Sequence, residues 1–404
     1  MEASTSSSPD VHTRWRGPPI KTIPLIKGTL SEHEEQQLEI HNLAKLKHNT
    51  VELDGHIEYI KTRVIQPIID KFNGMYPQFA VNDVLLNGSM SNRTKIITPH
   101  ECDFVLPMAL SRYVVVYPSE STAKYYTPGK LDVKLSSEQH PDVLHLIKEY
   151  PEMVKPNTAL IETGYIIHSI IRGAVAECLS QLHMEGAITH RGITDLEKEL
   201  PVESIQLRKH DVIMDKRAHG PSLRFRVWGP LCVTDIDLTF CLKITNIPEL
   251  PYSEDSFFMA LDMGHRWIKS YYEKPHLRAS RIDGYHIELR TLKYILLQHE
   301  KKRRYNEKST NFYSHALFTI ARSNQEECDS KPSLGKGFSD ITHKLSQFLL
   351  RSVENTTEVE VSTKWLDDLF DKDCTDMRLV FGATDVTETT TLIFSLAVYI
   401  LPEL

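Results

Sequence analysis

Residues 88–104 read Gly88-Ser89-Met90-Ser91-Asn92-Arg93-Thr94-Lys95-Ile96-Ile97-Thr98-Pro99-His100-Glu101-Cys102-Asp103-Phe104, a glycine-serine turn followed about a dozen residues later by two carboxylates spaced one apart. The residues ahead of the turn, Asp83-Val84-Leu85-Leu86-Asn87, read as a short strand, and Glu101-Cys102-Asp103-Phe104-Val105-Leu106-Pro107 reads as a second. Alternate side chains of an extended strand share a face, so Glu101 and Asp103 point one way while Cys102 and Phe104 point into the core. Two acidic oxygens on one face suit a divalent cation.

The residue types fit phosphoryl transfer. A hydroxyl attacking the α-phosphate of a nucleoside triphosphate builds negative charge on the attacking and leaving oxygens, which a pair of metal ions can stabilise. Magnesium takes hard oxygen ligands and keeps waters, so two or three carboxylates suffice, and manganese accepts the same donors. Gly88 lets the backbone approach a triphosphate closely, and the Ser89 hydroxyl with nearby N–H groups can bind its oxygens. Taken alone, a polar turn before an edge strand with two solvated acids accounts for the same residues.

A third carboxylate belongs far along the chain on a neighbouring strand. Residues 231–242, Leu-Cys-Val-Thr-Asp235-Ile-Asp237-Leu-Thr-Phe-Cys-Leu, alternate Asp235, Asp237 and Thr239 with Ile236, Leu238 and Phe240. That period of two makes a strand with one apolar and one acidic face. Asp237 has apolar neighbours on both sides, whereas Asp235 follows a threonine; Asp237 is favoured, with Asp235 the alternative.

The ordered set resembles a known family. From Gly88 to Asp103 the chain is similar to the cyclic GMP-AMP synthase-like receptors and the related male-abnormal developmental proteins, sharing Gly-Ser, a Lys-Ile pair, a proline and Glu-x-Asp without a gap. Asp211-Val-Ile-Met214 with Lys216-Arg217 and Gly220-Pro221, Leu292-Lys293-Tyr294 and Leu334-Gly335-Lys-Gly-Phe338 resemble later family segments in the right order. The resemblance covers roughly residues 50–370. It implies an α+β, two-lobed nucleotidyltransferase fold: a mixed β-sheet bearing the catalytic carboxylates plus a C-terminal helical lobe. It implies Glu101, Asp103 and Asp237 as catalytic metal ligands for Mg2+ or Mn2+, and Gly88, Ser89, Lys293, Tyr313 and Ser314 as nucleotide contacts. ATP, GTP or both would be substrates, and a cyclic dinucleotide for innate immune signalling the product. Double-stranded RNA or DNA would be the activator, with two copies of the chain pairing on it. A catalytically inactive developmental or scaffold protein of the same fold, or a linear oligonucleotide synthase, is the alternative.

Two departures bear on this. The family's vertebrate DNA sensor carries a zinc-binding insertion, but residues 273–284 here contain no cysteine, and a tetrahedral structural zinc site normally needs thiolates, so no zinc is expected. The zinc-free loop instead resembles the invertebrate receptors. The pocket residues Asn311-Phe312-Tyr313-Ser314-His315 have an altered order, and nothing matches the family arginine that reads the acceptor base, which leaves base preference and linkage open.

The chain has 404 residues and a formal charge of −7, so it is not basic throughout. Residues 261–310 nevertheless hold twelve basic and six acidic side chains, with Arg266, Lys269, Lys274, Arg278 and Arg281 in one cluster and Lys301-Lys302-Arg303-Arg304 in another. A local positive patch can bind phosphate backbones, and Lys269, Lys274, Arg278 and Arg281 are the candidate nucleic-acid contacts. The six cysteines are scattered without a Cys-x-x-Cys, no apolar run reaches the roughly 18 residues of a membrane span, and the N-terminus lacks a signal-peptide core; a cytoplasmic location is expected. The 19 histidines form no metalloprotease or triad pattern.

The expected organisation is a flexible leader over 1–30, a nucleotidyltransferase core with a long N-terminal helix over 31–250, and a mostly helical lobe over 251–404. Leu53, Ile57, Ile60, Val64, Ile68 and Phe72 recur at helical spacing, with Pro67 a candidate kink. Strands are expected near 83–87, 101–106, 113–117, 131–135, 205–214, 222–228 and 231–242, a helix over 158–183, and a helix pair ending near Tyr272 and beginning near Tyr285.

Overall fold

The computed structural model describes residues 38–118, 131–136, 140–155, 157–162, 164–196, 205–244, 256–260, 266–270 and 283–302. The first long element, α1, runs as Thr50–Ile60, a π segment Lys61–Ile65, and Gln66–Met75. Asn49 starts it: its side chain accepts from the Glu52 N–H at 2.9 Å while Glu52 accepts from the Asn49 N–H at 2.8 Å, a reciprocal cap. The π segment answers Pro67, whose ring and missing N–H are incompatible with a regular turn, and Gln66 N–H reaches back to Lys61 O instead. Widening the helix there shifts its phase, so Ile65 and Ile69 are buried alongside Ile60, Val64, Ile68 and Phe72.

Further helices among the described residues include α2 (Gly88–Ser91), α3 (Pro141–Glu149), α4 (a π turn Tyr165–Ile171 continuing as Arg172–Met184) and α5 (Asp283–Lys302). The strands are β1 (Leu85–Asn87), β2 (Glu101–Pro107), β3 (Val114–Pro118), β4 (Leu131–Leu135), β5 (Thr189–Thr194), β6 (Asp211–His219), β7 (Ser222–Trp228), β8 (Val233–Ile244), β9 (Ser256–Ala260) and β10 (Arg266–Ser270). They form one ten-stranded sheet in the order β3-β4-β10-β9-β8-β7-β6-β5, with β2 also pairing β8 and β1 pairing β2. β2–β8 and β5–β6 are parallel and the other pairs antiparallel, so the sheet is mixed. A mixed sheet with helices packed against it is compatible with an α+β class.

One face of the β2–β8 pair is apolar. Cys102, Phe104, Ile236, Leu238 and Phe240 are fully buried in a single core with α1 and α4 residues such as Phe72, Ile171 and Val175. Phe72 and Phe240 meet with ring centroids 5.5 Å apart, and truncating either to alanine should cost about 3–5 kcal/mol. The opposite face of the same two strands carries the acids.

Several elements differ from the sequence reading. The strand expected over 205–214 begins at Asp211, after a turn. The helix expected from 158 begins only at Tyr165, because Leu160 and Ile161 form β-bridges to Lys134 and Val154. β5 was not anticipated: Gly192 sits at φ +106° where the β5–β6 register shifts, which breaks the alternation. Beyond residue 250 the chain returns to the sheet as β9 and β10, so the segment read as a helix ending near Tyr272 is a strand over Arg266–Ser270. Phe257 and Trp267 are buried there, as aromatic-rich strands favour. The 1–30 leader, the segment 303–404 and the Leu334–Phe338 match lie outside the described residues.

Candidate active site

Parallel pairing of β2 with β8 sets Glu101 opposite Asp235 and Asp103 opposite Asp237. All four carboxylates therefore share the face away from the apolar core. Ligand oxygens of Glu101, Asp103 and Asp237 lie within 4.8 Å of one another. Asp235 is engaged elsewhere: Arg226 donates to its Oδ1 from Nε at 2.6 Å and to its Oδ2 from Nη2 at 2.9 Å, in a buried two-pronged pair. Between the two candidates for third acid, the geometry brings Asp237 to the group. Asp237 has its own arginine, Arg224, at 3.0 and 3.4 Å, and His219 at 4.0 Å.

The turn after β1 lies directly over Asp103. Gly88 has φ +65°, and a Cβ there would fall 1.9 Å from Asp103 Oδ2, so both backbone conformation and space demand glycine. From α2 the loop curls back, the Ser89 carbonyl accepting N–H bonds from Thr94 at 2.8 Å and Lys95 at 3.0 Å. The loop is strained at Ile97, a β-branched residue at φ +64°, where the Thr98 N–H bonds Ile96 O at 2.7 Å. Such a turn costs on the order of 1–3 kcal/mol and persists only when its surroundings fix it. Ala44 O fixes it from one side, accepting from the Ile97 N–H at 2.8 Å.

α5 fixes it from the other. His286, Arg290 and Lys293, spaced four and three apart and hence on one helical face, donate to three successive loop carbonyls, Asn92 O at 3.0 Å, Arg93 O and Thr94 O at 3.2 Å. Lys293, singled out by its segment's resemblance, thus stands beside the acids on a helix that clasps their loop.

The charges are unevenly balanced. Burial opposes ionisation of Glu101, but the ammonium of Lys95, 2.6 Å away, outweighs it and brings this carboxyl down to about 2. Burial, followed by repulsion from Glu101 and Asp237, pushes Asp103 up to about 7. Burial also raises Asp237 against the pull of Arg224. Lys293 is brought down to about 8 by burial and by Lys95, with Glu101 and Asp103 opposing. A carboxyl whose ionisation is opposed by burial and by its acidic neighbours is what a dication would relieve, and the donors are all hard oxygens; Glu101, Asp103 and Asp237 therefore fit magnesium or manganese.

No protein-family model matches the chain, and no curated protein matches it in sequence.

Of the residues read from the sequence, the structure gathers Gly88, Ser89, Glu101, Asp103, Asp237 and Lys293 at one place. Lys269 lies on β10 opposite Phe258, while Lys274, Arg278, Arg281, Tyr313 and Ser314 and most of the cysteine-free segment 273–284 lie outside the described residues. Sequence reasoning missed Lys95, Arg224, His286 and Arg290. Arg224 had a signal: Arg224 and Arg226 alternate with Leu223, Phe225 and Val227, matching the alternation of Asp235 and Asp237 across the hairpin. Among the described residues no helix is long and apolar enough to cross a membrane, and Cys102, Cys178 and Cys241 are free thiols.

Proposed function

We propose that this chain is a metal-dependent nucleotidyltransferase of the cyclic dinucleotide synthase type, with a nucleotidyltransferase core fold. The observation that carries the reading is the convergence of Glu101, Asp103 and Asp237 under the Gly88 turn. These three residues would hold Mg2+ or Mn2+, which when bound supplies positive charge to the attacking and leaving oxygens of the α-phosphoryl transfer. Gly88 lets the turn lie against the Asp103 carboxylate, and the Ser89 hydroxyl and the Lys293 ammonium would contact the triphosphate oxygens. The buried apolar face behind β2 and β8 fixes the carboxylates on rigid strands, which limits the reorganisation needed at reaction. ATP, GTP or both are the proposed substrates, double-stranded RNA or DNA the proposed activator, and the cytoplasm the proposed location.

The test is incubation of the full chain with the four nucleoside triphosphates, Mg2+ or Mn2+, and either duplex RNA or duplex DNA, with chromatography of the products. A cyclic dinucleotide supports the reading, a linear oligomer moves it to an oligonucleotide synthase, and no product under any combination contradicts it. Charge reversal at Lys269, Lys274, Arg278 and Arg281 should flatten the salt dependence of duplex binding by roughly one log-log unit per lost contact.

One observation favours a second reading, a non-catalytic protein of the same fold. Lys95 and Arg224 already form ion pairs with Glu101 and Asp237 from within the chain. A scaffold would keep those pairs closed, so a chain that binds no Mn2+ would support it.

A further inference from the structure

Lys95 is the lysine in direct contact with the carboxylate group. Its Nζ lies 2.6 Å from Glu101 Oε2; the Lys95 side chain is 8% exposed, while that of Glu101 is 39% exposed and open to an incoming ion. A divalent ion using that oxygen would stand against an ammonium already bonded to it, and two cations at such short range repel each other. The loop backbone around Lys95 is held in place. Thr94 and Lys95 give their N–H groups to Ser89 O, and the carbonyls of Asn92, Arg93 and Thr94 are taken by His286, Arg290 and Lys293. The movable part is the side chain, four methylenes long, which can swing its ammonium off Glu101 without disturbing the loop.

We propose that Lys95 is a built-in competitor for the divalent ion: its ammonium holds Glu101 in the metal-free protein, leaves that oxygen when the ion binds, and then contacts the phosphates of the incoming nucleotide. This rests on the metal-centre reading above. Arg224 differs, since it projects from β7 within a paired ladder and stays with Asp237. The exchange makes the bare ion a poor ligand and the metal–nucleotide complex a good one, because the phosphates replace Glu101 as the partner of Lys95.

Isothermal titration of the full-length protein tests this with two probes, Mn2+ alone and Mn2+ with a non-hydrolysable ATP analogue. Lys95→Met should bind Mn2+ alone about tenfold more tightly than wild type and the analogue complex about tenfold more weakly. Lys95→Arg, which keeps the charge, should bind Mn2+ alone within about threefold of wild type. Should the methionine variant fold poorly, Lys95→Gln, which keeps a hydrogen bond to Glu101 without the charge, should show the same opposite shifts. Equal or weaker Mn2+ binding in the uncharged variants, with wild type binding normally, overturns the competitor role and leaves the metal centre standing. Folded wild type that binds no Mn2+ in either form overturns the metal centre and the proposal with it.

Discussion

Two neighbouring rungs of the β7–β8 ladder carry the same residue types and do different things. Arg226 and Asp235 close on each other at 2.6 and 2.9 Å, whereas two residues along, Arg224 reaches Asp237 at 3.0 and 3.4 Å. Both rungs face the same way and both lie beside β2, one opposite Glu101 and the other opposite Asp103. The difference lies in what else is near. Asp237 belongs to an acidic group that its arginine only partly neutralises, and Asp235 does not. A buried arginine–carboxylate pair is thus a structural tie in one register and part of a candidate cation site in the next.

The largest effects should separate the rungs by kind of loss. Asp103→Asn should lower nucleotidyl transfer at least about a hundredfold, by analogy with other losses of a preorganised charge group, while leaving the metal-free fold intact, because it removes a carboxylate that its neighbours repel. Steady-state product formation and thermal melting read the two together. Glu101→Gln should abolish transfer as fully, but it leaves Lys95 buried without its carboxylate and should also lower stability. Asp235→Asn should do the reverse of Asp103→Asn. It breaks a buried ion pair and should cost about 3–5 kcal/mol in a urea titration, with transfer per folded molecule kept within about threefold below its melting temperature. If Asp235→Asn instead lost activity at unchanged stability, the assignment of the two rungs would be reversed.

Much of this site was legible in the sequence because period-two alternation names the residues that share a face. Glu101, Asp103, Asp235 and Asp237 were all placed on strands correctly. What alternation could not supply was the parallel register of β2 on β8 and the pairing with β7, and only those decide between Asp235 and Asp237. Lys95 was invisible as a partner because its position depends on a loop path, fixed by Ser89 O, Ala44 O and α5, that has no periodic signature. β9 and β10 escaped for a different reason: five residues each are too few to display a period against the helical pattern around them.

An intermediate effect comes from Gly88→Ala. The side chain would need φ +65° and the space of Asp103 Oδ2, so transfer should fall by more than tenfold and stability by about 1–3 kcal/mol. Wild-type stability in that variant would mean that the turn does not rest on Asp103.

The smallest effect is in the pH dependence. Asp103 is held near 7 in the folded protein, above the ~3.9 of an unfolded aspartate, so the native state binds the extra proton and stability falls as pH rises from about 4 to about 7. His56 acts oppositely. Burial lowers it to about 4, below the ~6.5 of an unfolded histidine, so stability is lost as pH falls through that window. Because the histidine is common to both proteins, subtracting the wild-type melting curve from that of Asp103→Asn isolates the carboxylate. The difference should grow by a few degrees between pH 5 and pH 8 in chelator, and Mn2+ should shrink it. A flat difference would show that burial and the acidic neighbours do not hold Asp103 above the usual carboxylate range.

The most direct measurement is anomalous diffraction from a crystal of the protein soaked with Mn2+ and a non-hydrolysable nucleoside triphosphate. A peak at bonding distance from Asp103 and Asp237, with the Arg226–Asp235 pair intact beside it, is the predicted result. A peak at Asp235, or a nucleotide bound with no manganese between it and these carboxylates, would contradict the account.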